Sequence, residues 1–166
     1  QATLAPWATQ PLQSAQATLH AVNLAALWPQ APATQLHGTV QAGPTPGAAA
    51  SSTGWALQAQ LRNELAGPWD HTRLPITTLQ ADAKYDGTRW TVPGATVNAG
   101  TGAVTLHGSY TPATGALEGQ AELRNLRPDA LHTAWAAAPL AGRVGAQMQG
   151  DVVRFTADIR ATGSAA

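Results

Sequence analysis

The feature that most constrains this chain is a two-residue alternation of apolar and polar side chains that returns between short turn signals. It is clearest in the stretch 115–163, where Leu117, Ala121 and Leu123 alternate with charged and amide side chains. Successive side chains of a strand point to opposite faces, so this pattern predicts a strand with one apolar and one polar face. The same alternation predicts strands over Arg143–Gln149 and Val153–Arg160.

Two short helical turns are expected among the strands. One is predicted over Asn23–Trp28, before Pro29, and the other over Asp129–Ala136. Pro128 suits the first turn of the second helix, because a proline there loses no hydrogen bond that it needed. The remaining pattern predicts about ten strands, with Pro93-Gly94 read as a turn between two of them, and no long helix. The expected fold is all-β: an elongated, curled antiparallel or mixed sheet that forms an open apolar groove.

Two parts of the chain resemble each other. The segments Leu27–Gly38 and Leu131–Gly142 have equal length, and the match also pairs Asn23 with Asn125. We interpret residues 1–14 as a lead-in, 15–66 as a strand–turn–strand–strand unit, 67–114 as a β-meander and 115–166 as a second such unit, all in one continuous β domain. Repetition of this kind indicates units that stack in one dimension.

The second unit carries a motif, Leu-x-Asn-Leu-x-Pro-x-Ala-Leu over Leu123–Leu131, followed by Leu-x-Gly-Arg-Val over Leu140–Val144 and a strand after Gly150. This arrangement resembles the recurring unit of the TamB/AsmA-like family. The resemblance covers most of the chain from about residue 15, and its motifs carry no catalytic signature.

The resemblance implies that the chain is an internal periplasmic fragment of a long β protein of the Gram-negative envelope. Such a protein is anchored in the inner membrane, and its sheet curls into a groove described as a β-taco. The implied role is non-enzymatic: phospholipid transport to the outer membrane and support of outer-membrane protein assembly. The implied partners are phospholipid acyl chains in the groove and an Omp85-type outer-membrane protein (TamA), which the parent would engage through a region outside this fragment.

The apolar faces are rich in Ala and Gly, which favours a shallow trough over a filled core. Burial of apolar area is worth roughly 25 cal/mol per Å², so an acyl chain in such a trough would gain several kcal/mol without specific contacts. The alternative is a structural or adhesion-type β repeat module with protein ligands, whose interior is packed by Trp28, Trp55, Trp90, Met148 and Phe155. If the groove is open, the residues expected to line it are Leu19, Leu36, Val40, Leu57, Leu79, Val104, Leu106, Leu117, Leu123, Val144 and Phe155.

Other classes of function find little support in the sequence. The chain has no cysteine and a formal net charge of zero, so neither a thiol site nor a nucleic-acid interface is indicated. His20, His37 and His107 fall on polar strand positions without a ligand spacing typical of zinc. We therefore expect no enzyme activity, no metal and no cofactor. No apolar run approaches the roughly 20 residues of a membrane helix.

Four tryptophans stand outside the alternating strands: Trp7, Trp28, Trp69 and Trp135. Trp28 and Trp135 lie in or next to the two helical turns. Each tryptophan alone is typical of a residue that covers a short helix or a sheet edge. As a set, they suggest the further hypothesis that they plug one end of the groove or form a mobile lid.

Overall fold

A computed structural model describes residues 2–4, 12–45 and 54–162. Its ten strands form one antiparallel sheet that is curled but not closed, and their order in space is their order along the chain. The expected all-β fold is therefore confirmed. The strands are β1 (Ala2–Leu4), β2 (Leu12–Val22), β3 (Leu36–Pro44), β4 (Trp55–Asn63), β5 (Ile76–Tyr85), β6 (Trp90–Ala99), β7 (Gly102–Thr111), β8 (Ala116–Leu126), β9 (Leu140–Gln149) and β10 (Val152–Ala161).

In the described chain, three short helices lie in the longer connections. Helix α1 spans Leu24–Leu27, helix α2 spans Pro128–Leu131, and a 3-10 helix that the sequence pattern did not predict spans Trp69–His71. Helix α2 ends five residues before the predicted Ala136, because His132 already has extended backbone angles, with φ of −152° and ψ of 123°. A helix of one turn makes few hydrogen bonds to offset the free-energy cost of nucleation, so it does not extend beyond Leu131.

The predicted turn at Pro93-Gly94 is wrong. Strand β6 runs through both residues without interruption, and its pairing with β7 shifts register between Val92 and Ala95. The shift is a β-bulge, which accommodates a proline that cannot donate a hydrogen bond to the neighbouring strand. Glycine next to proline therefore marks an irregular strand here, not the end of one.

The connections divide the sheet into two dissimilar ends. The long connections after β2, β4 and β8 lie at one end, here called the linker end, and contact one another there. Ala33 donates its backbone N–H to the carbonyl of Thr72 at 2.8 Å, and Thr133 donates its own to Asp70 at 3.1 Å. The opposite end, here called the turn end, holds the tight turns that follow β5, β7 and β9.

The small core sits mainly at the linker end. The buried apolar residues of the described chain are Leu36, Ala95, Ala99 and Leu126, and none of its side chains is less than 2% exposed. Buried Asn63 bridges the linker end: its amide oxygen accepts from Gln35 N–H at 3.0 Å, and its amide nitrogen donates to Ile76 C=O at 3.1 Å. Within the described residues, the apolar face is therefore not closed into the packed interior that a sandwich needs.

The two halves of the sheet repeat an irregular backbone feature. Ala21 near the end of β2 has φ of 50°, and Asn125 near the end of β8 has φ of 49°, each at a shift in strand register. The structural partner of Asn125 is thus Ala21 and not Asn23, which the sequence match had paired with it. Asn23 corresponds instead to Arg127, since these two residues are the N-caps of α1 and α2. The sequence match paired two residues because both are asparagine. The repeated backbone feature instead pairs the residues that have the same position in the two bulges.

Candidate functional site

The apolar residues of successive strands lie directly opposite one another and form rows that cross the sheet. Two rows, here called the central rows, each pass through the nine strands β2–β10. Directly opposite residues share a face, so each row is continuous on one side of the sheet. The first contains Ala17, Val40, Ala59, Ala81, Ala95, Leu106, Ala121, Val144 and Ala157, and the second contains Leu19, Gly38, Leu61, Leu79, Val97, Val104, Leu123, Gly142 and Ile159.

The structure places all eleven predicted groove residues on this face. Three belong to the first central row and four to the second. Of the others, Leu57 and Phe155 lie on the turn side of these rows, Leu117 lies still closer to the turns, and Leu36 lies at the linker end. Because strands are spaced by about 4.8 Å, a row through nine strands extends for roughly 38 Å across the sheet.

A third row, here called the aromatic row, borders this face near the turn end. It contains Trp55, Tyr85, Trp90, Tyr110, Leu117, Met148 and Val153. The rings of Tyr85 and Trp90 are stacked, with centroids 5.0 Å apart, and the Tyr85 hydroxyl donates to the carbonyl of Gly87 at 2.8 Å. Sequence reasoning noticed some of these residues singly but missed the row. The sequence signal that could have revealed the row is that most of its members are the apolar or aromatic residue nearest to a turn in their strand.

Between the aromatic row and the central rows, the apolar face of β7–β9 carries only small residues and is concave. Gly108, Gly119 and Ala146 lie opposite one another on β7, β8 and β9. The resulting concavity, here called the trough, has a volume of about 320 Å³. Glycine and alanine form its floor and larger apolar side chains form its two sides. Its lining residues on the apolar face are Trp90, Val92, Leu106, Gly108, Tyr110, Leu117, Gly119, Ala121, Val144 and Ala146. The lining also includes His107, Ser109, Glu118 and Gln120, which occupy the alternate, polar-face positions of β7 and β8.

The polar face has a concavity of its own, of about 670 Å³, over β7–β10. Charges of both signs alternate there, as Glu122 lies opposite Arg143 and Arg143 lies opposite Asp158. A hydrogen bond from Arg124, at 2.9 Å, and the charges of Arg124 and Arg143 lower the pKa of Glu122. Because positive and negative side chains alternate, their fields largely cancel and do not favour an ionic ligand of either sign. A polar face of this kind is typical of a sheet surface in contact with water. The larger concavity is therefore the weaker candidate for a site.

The histidines of the described chain do not gather into one ligand cluster. His20 and His37 meet edge to face with ring centroids 5.5 Å apart, and His37 Nε2 lies 3.5 Å from a carboxylate oxygen of Glu64. In the part of the chain that the structure describes, no three side chains of His, Cys, Asp or Glu converge as a metal site would require. His107 lies on the polar face, opposite Gln120.

Three of the four tryptophans of the lid hypothesis are exposed at the linker end. Trp28 is 63% exposed, Trp69 56% and Trp135 55%. Trp135 stacks on His132 with centroids 5.4 Å apart, next to the hydrogen bonds between Thr133 and Asp70. Trp7 lies outside the described residues. The three rings thus share one end of the sheet, opposite the end that carries the aromatic row.

None of the described helices has the length and hydropathy needed to cross a membrane. Comparison of the chain with protein-family models, with curated proteins and with solved structures finds no match.

Proposed function

We propose that this chain is a non-enzymatic, lipid-conducting segment of a TamB-like envelope protein, and that its apolar face carries phospholipid acyl chains. The observation that supports the proposal is the continuity of the central rows through nine strands, on a face that no packed core closes within the described residues. An acyl chain needs an uninterrupted apolar path and no specific contacts. The resemblance to the TamB/AsmA-like family supplies the envelope setting.

The trough is the proposed seat of the acyl chain. Its glycine and alanine floor lets a chain of methylenes approach the backbone, while Trp90, Tyr110 and Leu106 stand beside it. Burying about eight methylene groups there would gain on the order of 6 kcal/mol before the entropy cost of binding. Such binding is weak and depends little on position, which suits passage along the face better than storage.

The aromatic row is the proposed border of the lipid path. Tyr and Trp have an apolar body and a polar tip, and they favour boundaries between apolar and wet surroundings. Tyr85, Trp90 and Tyr110 occupy such a boundary, because the row separates the trough from the turn end. We place the acyl chain on the trough side of this row and the phospholipid headgroup toward the turns.

The parent protein would act in the periplasm of a Gram-negative bacterium, anchored in the inner membrane. Phospholipid would move toward the outer membrane, where assembly of outer-membrane proteins involves an Omp85-type partner. We assign engagement of that partner to a region of the parent outside this chain. The packed-module alternative has less support, because the described chain has no side chain below 2% exposure.

The test is to fill the trough without disturbing the backbone. A Cβ on Gly119 would meet only the His107 carbonyl oxygen at 3.6 Å, an ordinary contact, so Gly119→Leu fits the strand and occupies the floor. We expect Gly119→Leu to reduce binding of a phospholipid with a fluorescent acyl chain by about tenfold, as several methylene contacts are lost. The matched control is Gln120→Leu, which adds the same side chain to the polar face of β8.

Equal binding by both variants and the unchanged chain, with folding verified by circular dichroism, would refute the trough as the acyl site. Native mass spectrometry of the purified chain provides a second readout. We expect co-purified phospholipid on the unchanged chain and on Gln120→Leu, and its loss from Gly119→Leu.

A further inference from the structure

Two hydrogen-bonding side chains stand at the border between the trough and the turn end. Trp90 on β6 and Tyr110 on β7 both line the trough, and they lie directly opposite each other in the aromatic row. Directly opposite residues of an antiparallel pair have Cβ atoms about 4.5–5.5 Å apart, so one small group can contact both side chains. Both strands are interior to the described sheet, with at least three further strands on either side.

Neither polar tip is used within the described structure. The indole N–H of Trp90 and the hydroxyl of Tyr110 have no hydrogen-bond partner among the described residues. Tyr85, which lies opposite Trp90 on β5, differs, because its hydroxyl donates to the carbonyl of Gly87 at 2.8 Å. Tyr110 is 40% exposed, so a ligand on this face reaches it without a change in the fold. Two neighbouring donors are therefore available to a ligand.

The rest of the trough's apolar-face lining has no polar side-chain atom. Apart from Trp90 and Tyr110, the described lining residues on this face are valine, leucine, alanine and glycine. The other lining residues occupy polar-face positions of β7 and β8, and they are His107, Ser109, Glu118 and Gln120. A lipid whose acyl chain lies in the trough therefore meets side-chain donors of the apolar face on the side next to the turns.

The first polar group beyond an acyl chain in a phospholipid is its ester carbonyl. A carbonyl oxygen accepts hydrogen bonds and cannot donate them. It therefore complements the Trp90 N–H, which only donates, and the Tyr110 hydroxyl, which donates as well as accepts. The phosphate lies further along the glycerol, so the ester is the group that reaches the border when the methylenes occupy the trough.

We propose that Trp90 and Tyr110 bind the ester carbonyl of an acyl chain held in the trough, and that they make this site selective for ester-linked lipids. The inference rests on the proposed function, because it requires an acyl chain in the trough. It gives the chain a direction, with the ester at the aromatic row and the methylenes over the glycine and alanine floor. No headgroup atom takes part, so phospholipids with the same ester-linked chains and different headgroups are equivalent ligands.

The test compares two phosphatidylcholines that differ only in how their chains are linked, by esters in one and by ethers in the other. The phosphate and choline are the same in both, and only the ester-linked lipid has the carbonyl. We expect the unchanged chain to bind the ester-linked lipid about tenfold more tightly, as two hydrogen bonds are made. Tyr110→Phe should lower this ratio to about threefold and leave the dissociation constant of the ether-linked lipid unchanged.

Tyr85→Phe is the matched control, since it removes a tyrosine hydroxyl from the same row, one that already donates to Gly87. We expect it to leave the ratio unaltered, and a fall equal to that of Tyr110→Phe overturns the assignment. Trp90→Phe removes the indole N–H and keeps an aromatic ring. It should weaken both lipids through lost ring contacts and should also lower the ratio, which reports the hydrogen bond alone.

The outcomes separate this inference from the proposed function. Equal affinity of the unchanged chain for the two lipids, with binding that Gly119→Leu still weakens, overturns the inference and leaves the trough as an acyl site. A preference that Tyr110→Phe does not alter, or an equal loss of both lipids in that variant, overturns it as well. Binding of neither lipid, or binding that Gly119→Leu does not affect, refutes the proposed function and this inference with it.

Discussion

Gly38 and Gly142 occupy the same place in the two halves of the sheet, and both are pressed against the next strand. Their φ angles are 146° and 152°, and a Cβ added to either would lie 2.0 Å from a carbonyl oxygen, that of Gln60 or Asp158. Each glycine also lies opposite the leucine that precedes a bulge in the strand before it, Leu19 or Leu123. The repeat is thus a repeat of backbone geometry.

Alanine at either glycine should be strongly destabilising. The added Cβ clashes with backbone, which cannot swing aside, and the backbone angles are poorly suited to an L side chain. We expect Gly38→Ala and Gly142→Ala each to lower the free energy of unfolding by at least about 2 kcal/mol in urea titrations. Gly119→Ala is the control, since its Cβ has room. A loss below about 0.5 kcal/mol for Gly38→Ala would contradict the described geometry.

Asn63 should be a second point of high sensitivity. Its side chain is buried and makes four hydrogen bonds, accepting from the N–H groups of Gln35 and Leu65 and donating to the carbonyls of Leu74 and Ile76. Asn63→Ala leaves these backbone groups without a partner, at a cost of about 2–4 kcal/mol of unfolding free energy.

Asn63→Asp distinguishes the two hydrogen bonds that the side chain accepts from the two that it donates. At low pH the neutral aspartic acid keeps an acceptor and has one O–H donor in place of the two N–H donors of the amide, so we expect intermediate stability. Once it ionises it can only accept, beside the carbonyls of Leu74 and Ile76, and we expect it to be worse. Thermal unfolding of the three proteins measures the order. An Asn63→Ala protein as stable as the unchanged chain would show that this bridge does not hold the linker end together.

The contact between Asp70 and Thr133 should respond to acid. The Thr133 hydroxyl and N–H both donate to the Asp70 carboxylate, and the hydroxyl bond is the main cause that lowers the pKa of Asp70 below its ordinary value of 3.8. A carboxyl whose folded pKa is lowered contributes its stabilisation fully above the unfolded value. That contribution is lost as the pH falls below 3.8 and through the folded pKa.

We therefore expect the Thr133 amide resonance to shift in an acid titration with a midpoint below 3.8. Asp70→Asn should abolish this titration, because the amide carries no ionisable proton. Fluorescence of the nearby Trp69 and Trp135 offers a second readout at the linker end. A midpoint above 3.8 would mean that the contact does not favour the ionised carboxylate in solution.

Much of the fold follows from the sequence because strand alternation is a local signal. The face of each predicted groove residue is determined by its parity within its strand. The tight turns after β5, β7 and β9 require antiparallel neighbours, whereas the long connections left antiparallel and mixed order open. Pro93 shows the limit of this reasoning, since the same dipeptide marks a turn in a hairpin and a bulge in a long strand. Only the neighbouring strands decide between the two.

The candidate site was harder to predict, because the trough depends on cross-strand register. Gly108, Gly119 and Ala146 are far apart in sequence, and nothing local says that they lie opposite one another. The aromatic row was missed for the same reason. The contact of Asp70 with Thr133 depends on how far the sheet curls, and the curl cannot be predicted from the periodicity of a single strand.

The separation of the core from the trough leads to a last prediction. Leu36 and Leu126 are buried at the linker end, at 9% and 8% exposure, whereas Leu117 beside the trough is 40% exposed. Alanine at Leu36 or Leu126 should lower the unfolding free energy by about 2–3 kcal/mol, because apolar contacts are lost and a cavity is left. Leu117→Ala removes a side chain that is only partly buried, and should cost less, about 1 kcal/mol.

Binding should follow the opposite order. Leu117→Ala removes part of a trough side and should weaken capture of the fluorescent phospholipid, whereas Leu36→Ala, measured where it remains folded, should leave it nearly unchanged. Urea titration and lipid titration on the same three proteins separate the two effects. If Leu117→Ala were as destabilising as Leu126→Ala, the trough would be part of a packed core, and its residues would serve folding rather than lipid.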